Sequence, residues 1–248
     1  MTLKNAGLLL LVASPGCTYM PQFQWGAEVD EETVSDTGYI DAIDTDGDGL
    51  PDWREYQLGS DPEQPDTDGD TYRDGVEFDS FTDPTDADDH PYEGGWPIDA
   101  CRHDTFGDDT AQDFALIDQF GETVRLHDFC DHVVLLVGCT SWHPVCRDTA
   151  AMTQEMSANY RDDGLVVVTL LGEDRVGMPP QLDELETWVD ALNLTHPVVA
   201  DPNLETTYRF VVGNSVGLPS MTLLGRGMEI IIANQWVDDN DIVGALTD

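Results

Sequence analysis

Two acidic segments of the chain repeat one spacing of oxygen-bearing residues. The first begins at Asp44 and reads DTDGDGLPDWRE; the second begins at Asp66, 22 residues later, and reads DTDGDTYRDGVE. Carboxylates stand at positions one, three, five, nine and twelve of both segments. This is the spacing of an EF-hand-like loop, in which carboxylates and the backbone carbonyl of position seven bind calcium. The repeat therefore predicts two calcium sites in series.

Each loop has one predicted ligand set. The ligands of the first loop are Asp44, Asp46, Asp48, the Leu50 carbonyl, Asp52 and Glu55. Those of the second loop are Asp66, Asp68, Asp70, the Tyr72 carbonyl, Asp74 and Glu77. At position six, where such a loop turns sharply, the first loop has Gly49 and the second has Thr71. Because a non-glycine residue at positive φ costs about 1–2 kcal/mol, we expect the second site to be the weaker one.

The flanks of the loops follow the same period, since Asp61-Pro62 and Asp83-Pro84 are also 22 residues apart. With these motifs, residues 44–90 resemble bacterial thrombospondin type 3 repeats. The resemblance implies calcium bound along a thin, core-poor rod. A disordered acidic linker is the alternative, but disorder requires no particular aspartate positions. A third loop from Asp88 is not expected, because His90-Pro91 breaks the alternation.

The charge of the chain restricts its partners. Its 50 acidic and 10 basic residues give a net charge of −40 and a pI near 4.1. Such a surface repels nucleic acid and anionic membrane lipids, so we expect neither as the principal partner. Cations are the partners that the charge favours, and the spacing of the two loops indicates calcium.

The amino terminus is typical of an export signal. Lys4 is followed by an apolar run over residues 6–13, which is too short to span a bilayer. Residues 14–17, Ser-Pro-Gly-Cys, resemble a bacterial lipoprotein processing site, which implies that Cys17 is lipidated and anchors the chain to the outer membrane. An ordinary secretory signal is the alternative. Either interpretation places the mature protein in the periplasm or at the cell surface, with residues 18–43 as an acidic tether.

The carboxyl-terminal part, residues 112–248, alternates predicted strands and helices. The predicted strands are 114–118, 124–128, 132–138, 165–171, 198–200, 217–224 and 228–233, and the predicted helices are 144–160, 182–192 and 239–246. Alternating strands and helices indicate an α/β domain with a largely parallel sheet.

Three features of this domain resemble the thioredoxin-like redoxins of the AhpC/TSA and TlpA-like groups. They are the strand at 133–137, the segment from Trp142 to Cys146 that precedes a helix, and Pro219. The resemblance implies a thioredoxin-like fold, a cis-proline at Pro219 opposite the active-site thiols, and thiol chemistry on protein disulfides or peroxides.

The catalytic segment departs from this family. Working members carry Trp-Cys-x-x-Cys, whereas this chain reads Trp-His-Pro-Val-Cys, so that His143 replaces the first cysteine and only Cys146 remains. Val137 also occupies a strand position where relatives often keep a buried Asp or Asn. The peroxiredoxin motif Pro-x-x-x-Thr-x-x-Cys is not present either. Ordinary Cys-x-x-Cys chemistry is therefore excluded.

Three interpretations of this site remain open. Cys139 and Cys146 can form an atypical redox pair, with His143 beside them favouring the thiolate. The same three side chains can instead bind copper or zinc as soft ligands. The domain can also have kept its fold and a binding cleft without catalysis.

The other cysteines are predicted to be structural. An exported protein rarely leaves exposed thiols unpaired, so we expect a disulfide between Cys101, in a linker over residues 91–111, and Cys130. The remaining histidines have no mutual spacing that suggests a site, and we expect them to be solvated or to lie in loops; they are His90, His103, His127, His132 and His196.

Overall fold

The computed structural model of the protein describes residues 43–98, 107, 110–211 and 217–247. The predicted export signal, nearly all of the predicted tether, Cys17, Cys101 and His103 lie outside the described residues. Within those residues, no helix combines the length and the apolar character that crossing a bilayer requires.

The acidic repeats each consist of a loop followed by a short helix. Helix α1 is Asp52–Leu58 and helix α2 is Asp74–Asp79. Thr71 has a φ of +92°, close to the +106° of Gly49 at the equivalent position. The strained conformation expected for Thr71 is therefore present.

The two repeats pack against each other at Gly75. Its backbone N–H donates to the Asp48 carboxylate across the interface at 2.7 Å. A Cβ atom on Gly75 would lie 2.8 Å from the Asp48 carbonyl oxygen and 3.0 Å from the Leu50 nitrogen. The first repeat has Trp53 at the equivalent position, so this close approach is specific to the second repeat. The contact joins the repeats into one packed unit.

The carboxyl-terminal domain contains seven strands and four of the described helices. The strands are β1 (Ala115–Ile117), β2 (Thr123–Arg125), β3 (Val133–Cys139), β4 (Leu165–Leu171), β5 (Val198–Ala200), β6 (Ser220–Leu224) and β7 (Ile230–Ile232). The helices are α3 (Pro144–Tyr160), α4 (Leu182–Leu192), α5 (Glu205–Arg209) and α6 (Asp239–Thr247), with short 3-10 turns at Leu126–Phe129, Arg161–Asp163 and Pro202–Leu204.

Five strands form one sheet in the order β5-β4-β3-β6-β7, and β1 pairs with β2 in a separate antiparallel hairpin. Strands β3 and β4 are parallel, with Val133 opposite Leu165 and Cys139 opposite Leu171. Strand β6 pairs antiparallel on the other side of β3. This mixed sheet is the α/β, thioredoxin-like architecture that the sequence predicted.

Alternate residues of β3 and β4 face two hydrophobic cores, because successive side chains of a strand point to opposite sides of a sheet. One core contains the odd-numbered positions of β3, together with Cys146 of α3 and Trp188 of α4. The other contains Val134 and Leu136 of β3 with aromatic side chains from the hairpin region, such as Phe129. Strand β3 is therefore covered on both faces.

Residues 91–98, which the sequence predicted to lie in a linker, pack on the carboxyl-terminal domain. Tyr92 is 6% exposed and lies in the second core, where its hydroxyl donates to the Asp128 carboxylate. The Trp96 indole N–H donates to the Asp118 carboxylate at 2.9 Å. This connecting segment is therefore packed on the domain, because its aromatic side chains fill a surface that only the folded domain provides.

His196 lies in the loop before β5, one of the two placements expected for it, but it is buried. It is 1% exposed, with Nε2 3.1 Å from the Thr169 hydroxyl and Nδ1 3.2 Å from the Gln154 side-chain oxygen. Burial, and secondarily the charge of Arg161, lowers the pKa of His196 to about 3. The ring is therefore neutral in the folded protein at ordinary pH.

Because of His196, we expect the folded protein to lose stability as the pH falls below the unfolded-state pKa of 6.5. Below that pH the unfolded chain binds a proton that the folded chain does not. The free energy of unfolding therefore falls by about 1.4 kcal/mol per pH unit until the folded-state pKa is reached. His196→Gln should remove this part of the slope. Urea unfolding of both proteins at pH 7 and pH 5 measures it, and equal slopes would contradict the assignment.

A second expectation concerns the contact at Gly75. Gly75→Ala should destabilise the repeats by about 1–3 kcal/mol, because the added methyl group overlaps the backbone of the first loop. Alanine is the better helix former, so a loss of stability isolates the steric effect. Limited proteolysis of the repeats measures it, with Val76→Ala, at a residue that is 45% exposed, as the control. Equal cleavage rates for the two variants would refute the close approach.

Candidate functional site

The two acidic loops have the same hydrogen bonds at equivalent positions. The Asp44 carboxylate accepts the N–H groups of Gly47 at 2.7 Å and Gly49 at 3.1 Å. The Asp66 carboxylate accepts those of Gly69 at 2.8 Å and Thr71 at 3.1 Å. These bonds curl each loop around its own carboxylates.

The curled loops bring the first three aspartates of each repeat together. Within each group, one ligand atom per residue lies within 4.8 Å of the others, and the groups are Asp44, Asp46 and Asp48, and Asp66, Asp68 and Asp70. Burial raises the pKa of Asp46 and of Asp68, and the charges of neighbouring aspartates add to this effect. Carboxylates held this close without a cation repel one another.

The carboxylates at position nine have a different role in this structure. Both oxygens of Asp52 accept hydrogen bonds from Thr45, at 2.8 Å from its N–H and 2.7 Å from its hydroxyl. Asp74 accepts the same pair of bonds from Thr67, at 2.8 and 2.6 Å. The two carboxylates close the loops, and they lie outside the groups of converging aspartates.

The glutamates at position twelve are buried without hydrogen-bond partners. Glu55 and Glu77 are both 0% exposed, and none of their four carboxylate oxygens has a hydrogen-bond partner. Burial, followed by neighbouring aspartate charges, raises the pKa of Glu55 to about 7 and that of Glu77 to about 8. A buried carboxylate is costly unless it is paired or coordinates a metal. These oxygen donors therefore fit a hard cation such as calcium.

The thiols lie at the carboxyl end of the central strand β3 and at the start of the helix that follows it. Cys139 ends β3 and Cys146 lies in the first turn of α3. Both are free cysteines, with exposures of 2% and 0%. The Thr140 N–H donates to Cys146 Sγ at 3.4 Å.

The two thiols differ in acidity. The neighbouring Cys139 thiol, with help from the Thr140 N–H, lowers the pKa of Cys146 despite its burial. Burial, together with the neighbouring Cys146, raises the pKa of Cys139 well above its usual range. Cys146 is therefore the more acidic thiol of the pair, and Cys139 retains its proton.

His143 occupies the position before the helix that the first cysteine holds in working redoxins. It is the N-cap residue of α3, and its Nδ1 is buried without a hydrogen-bond partner. Its ring meets that of Trp142 edge-on, with 5.4 Å between centroids. Among the described residues, the clusters of converging ligand atoms are the two aspartate groups alone, so Cys139, His143 and Cys146 do not form a closed ligand set here.

The cis-proline is present at the predicted position. The peptide bond between Leu218 and Pro219 is cis. Ser220, the next residue, pairs with Gly138, which precedes Cys139 in β3. Pro219 therefore lies beside the strand end that carries the thiols.

Val137 lies two residues before Cys139 in the same strand. It is 1% exposed, so an apolar side chain fills the position where relatives often have a buried Asp or Asn. The strand therefore offers no carboxylate or amide at this position to accept a proton from the thiols.

Cys130 is disulfide-bonded. Its predicted partner, Cys101, lies outside the described residues, so the pairing of these two cysteines stays a prediction.

Sequence reasoning missed Gly75 and Thr45 as residues that shape the loops. A glycine in the first turn of a short helix was the available signal for Gly75, because it has no local reason to be there. No signal in the sequence indicated that Thr45 would bind Asp52.

Comparisons with known proteins concern the second domain. A candidate thiol:disulfide interchange protein DsbE from Chlorobium tepidum is 23% identical, with a TM-score of 0.48 over 57% of this chain and 99% of its own. Peroxidoxin BcpB from Mycobacterium tuberculosis is 17% identical, with a TM-score of 0.44 over 56% of this chain and 92% of its own. No curated protein matches the chain. The AhpC/TSA family matches residues 108–233, which is just over half of the chain. The protein therefore belongs to the AhpC/TSA family.

Proposed function

We propose that the protein is an exported thiol oxidoreductase whose redox pair is Cys139 and Cys146, carried next to two calcium-binding loops. The observation that supports the redox role best is that two free thiols are buried in one core of a redoxin domain, with Cys146 Sγ 3.4 Å from the N–H of Thr140, the residue after Cys139. The neighbouring Cys139 lowers the pKa of Cys146, which favours Cys146 as the reactive thiol.

Cys146 is the attacking thiolate in this proposal, since the thiolate is the reactive form of a cysteine. With a peroxide, its sulfur bonds to one peroxide oxygen as the O–O bond breaks, and the leaving oxygen takes up a proton as water or an alcohol. Cys139 then attacks the resulting sulfenic acid, which forms the disulfide and releases water. The two thiols supply two electrons, and an external dithiol must reduce the disulfide to complete the cycle.

The burial of both sulfurs favours a small substrate. Cys139 is 2% exposed and Cys146 is 0% exposed, so a folded protein disulfide cannot reach either sulfur without movement of the chain. His143 stands at the position where a redoxin ordinarily presents its exposed thiol. A peroxide is therefore the favoured oxidant, and a protein disulfide is the alternative.

The calcium proposal rests on Glu55 and Glu77. Their oxygens are buried and unpartnered next to three converging aspartates in each loop. Calcium would supply the missing positive charge, with Leu50 and Tyr72 offering backbone carbonyls. At 10 to 100 times Kd, calcium adds about 1.4–2.7 kcal/mol of stability per site.

The proposed location is outside the cytoplasm, and its support comes from the amino-terminal sequence. Residues 1–17 have the pattern of an export signal, and the Ser-Pro-Gly-Cys segment supports lipidation of Cys17. In that compartment calcium is abundant and disulfides persist.

The calcium sites can be tested at Glu55. Glu55→Gln should weaken calcium binding at the first loop by at least about tenfold, because a charged ligand is lost. Isothermal titration with calcium measures this, with Glu63→Gln, at an exposed glutamate outside the ligand set, as the control. An absence of heat in the unaltered protein at millimolar calcium would refute the sites.

The redox role can be tested with single cysteine variants. Cys146→Ser should lower peroxide consumption by at least about 100-fold, and Cys139→Ser should trap a sulfenic acid instead of a disulfide. Thiol alkylation with mass spectrometry, before and after peroxide, identifies each product. Retained activity in Cys146→Ser would refute the assignment.

Other outcomes of these assays would select the alternatives. Stoichiometric copper or zinc that is lost in His143→Ala would support a metal-binding protein. If the protein shows neither bound metal nor redox activity, the domain is a non-enzymatic binding module. If His143→Cys then gains reductase activity, the fold supports redoxin chemistry and only the first active-site cysteine is missing.

A further inference from the structure

The side chain of Tyr72 connects the second acidic loop to His90, the last residue of the repeat segment. The Tyr72 ring stacks on that of His90, with 5.4 Å between centroids and 6° between planes. Burial, and then the charges of Glu122 and Glu93, raises the pKa of the Tyr72 hydroxyl.

His90 continues this contact to the β1–β2 hairpin. Its Nδ1 lies 3.9 Å from Glu122 Oε1. The other oxygen of Glu122 accepts the Glu93 N–H at 2.8 Å. Glu122 follows Gly121 in the turn between β1 and β2, so the hairpin is held by the segment that leaves the repeats.

The same segment is anchored further along the hairpin. The Tyr92 hydroxyl accepts the Arg125 N–H of β2 at 3.2 Å. Trp96 bonds to Asp118, just after β1. Residues 90–96 therefore connect the second loop to both strands of the hairpin.

The first loop has no equivalent contact among the described residues. Leu50 stands at the position of Tyr72 and is 2% exposed, within the packed repeats. A leucine at this position is thus compatible with the loop. The aromatic ring of Tyr72 is what the second loop adds.

We propose that the second loop docks on the β1–β2 hairpin through Tyr72, His90 and Glu122, so that calcium bound in this loop stabilises the hairpin of the redoxin domain. The inference rests on the proposed calcium site. Tyr72 stands at position seven, where the backbone carbonyl is a calcium ligand, and its ring reaches His90, so an ion that fixes the carbonyl also fixes the ring. By linkage, docking raises the calcium affinity of the second loop by the same factor.

The test uses Tyr72→Leu. This change gives the second loop the leucine that the first loop has at position seven, and it leaves every carboxylate and carbonyl ligand in place. His90→Ala breaks the same contact from outside the loop. Tyr56→Leu is the matched control, because Tyr56 is 73% exposed in α1. Hydrogen exchange of the Glu93 amide and of the Asp118 amide, which bonds to Glu122 within the hairpin, is measured with and without calcium.

Calcium should slow exchange at these amides by about tenfold or more in the unaltered protein and in Tyr56→Leu. Tyr72→Leu and His90→Ala should each lose most of this protection while calcium titration still shows binding at both loops. Equal protection in all four proteins, with calcium bound, would overturn the docking and leave the calcium sites standing. No calcium heat in the unaltered protein would overturn both.

Discussion

The redoxin domain depends on the burial of strand β3 on both faces and both edges. All seven of its residues are buried, and it pairs with β4 on one side and β6 on the other. An apolar strand in this position is held by main-chain hydrogen bonds and by two cores at once. Its carboxyl end is therefore a fixed point, and Cys139 at that end meets Cys146 at the start of α3.

The acidic repeats are held in a different way. Their loops have few apolar side chains to bury, and they gather carboxylates that repel one another in the absence of a cation. Backbone N–H groups donate hydrogen bonds to Asp44 and Asp66, and these bonds shape each loop. Glu55 and Glu77 remain buried without hydrogen-bond partners. Stability in this region is therefore limited by the repulsion between unpaired carboxylates, whereas the redoxin domain is held by its cores.

His143 occupies the position of the first redox cysteine, so the domain keeps the redoxin backbone but has no exposed thiol at that position. The cis peptide bond at Pro219 and the start of α3 at Pro144 keep the geometry of a redoxin. The two free thiols are both buried instead, Cys139 at the end of β3 and Cys146 in the first turn of α3. Access to both sulfurs from solvent is therefore restricted.

The sequence by itself determined the local features: the two loops, the strands and three of the four described helices of the second domain, and the proline at position 219. Each depends on spacing or periodicity within a short segment, such as the alternation of aspartates after Asp44. Only the tertiary structure decided the burial of His196, the packing of Tyr92 and Trp96, and the pairing of Asp52 with Thr45. These depend on which distant surface a side chain meets, and a pattern of neighbouring residues contains no such information.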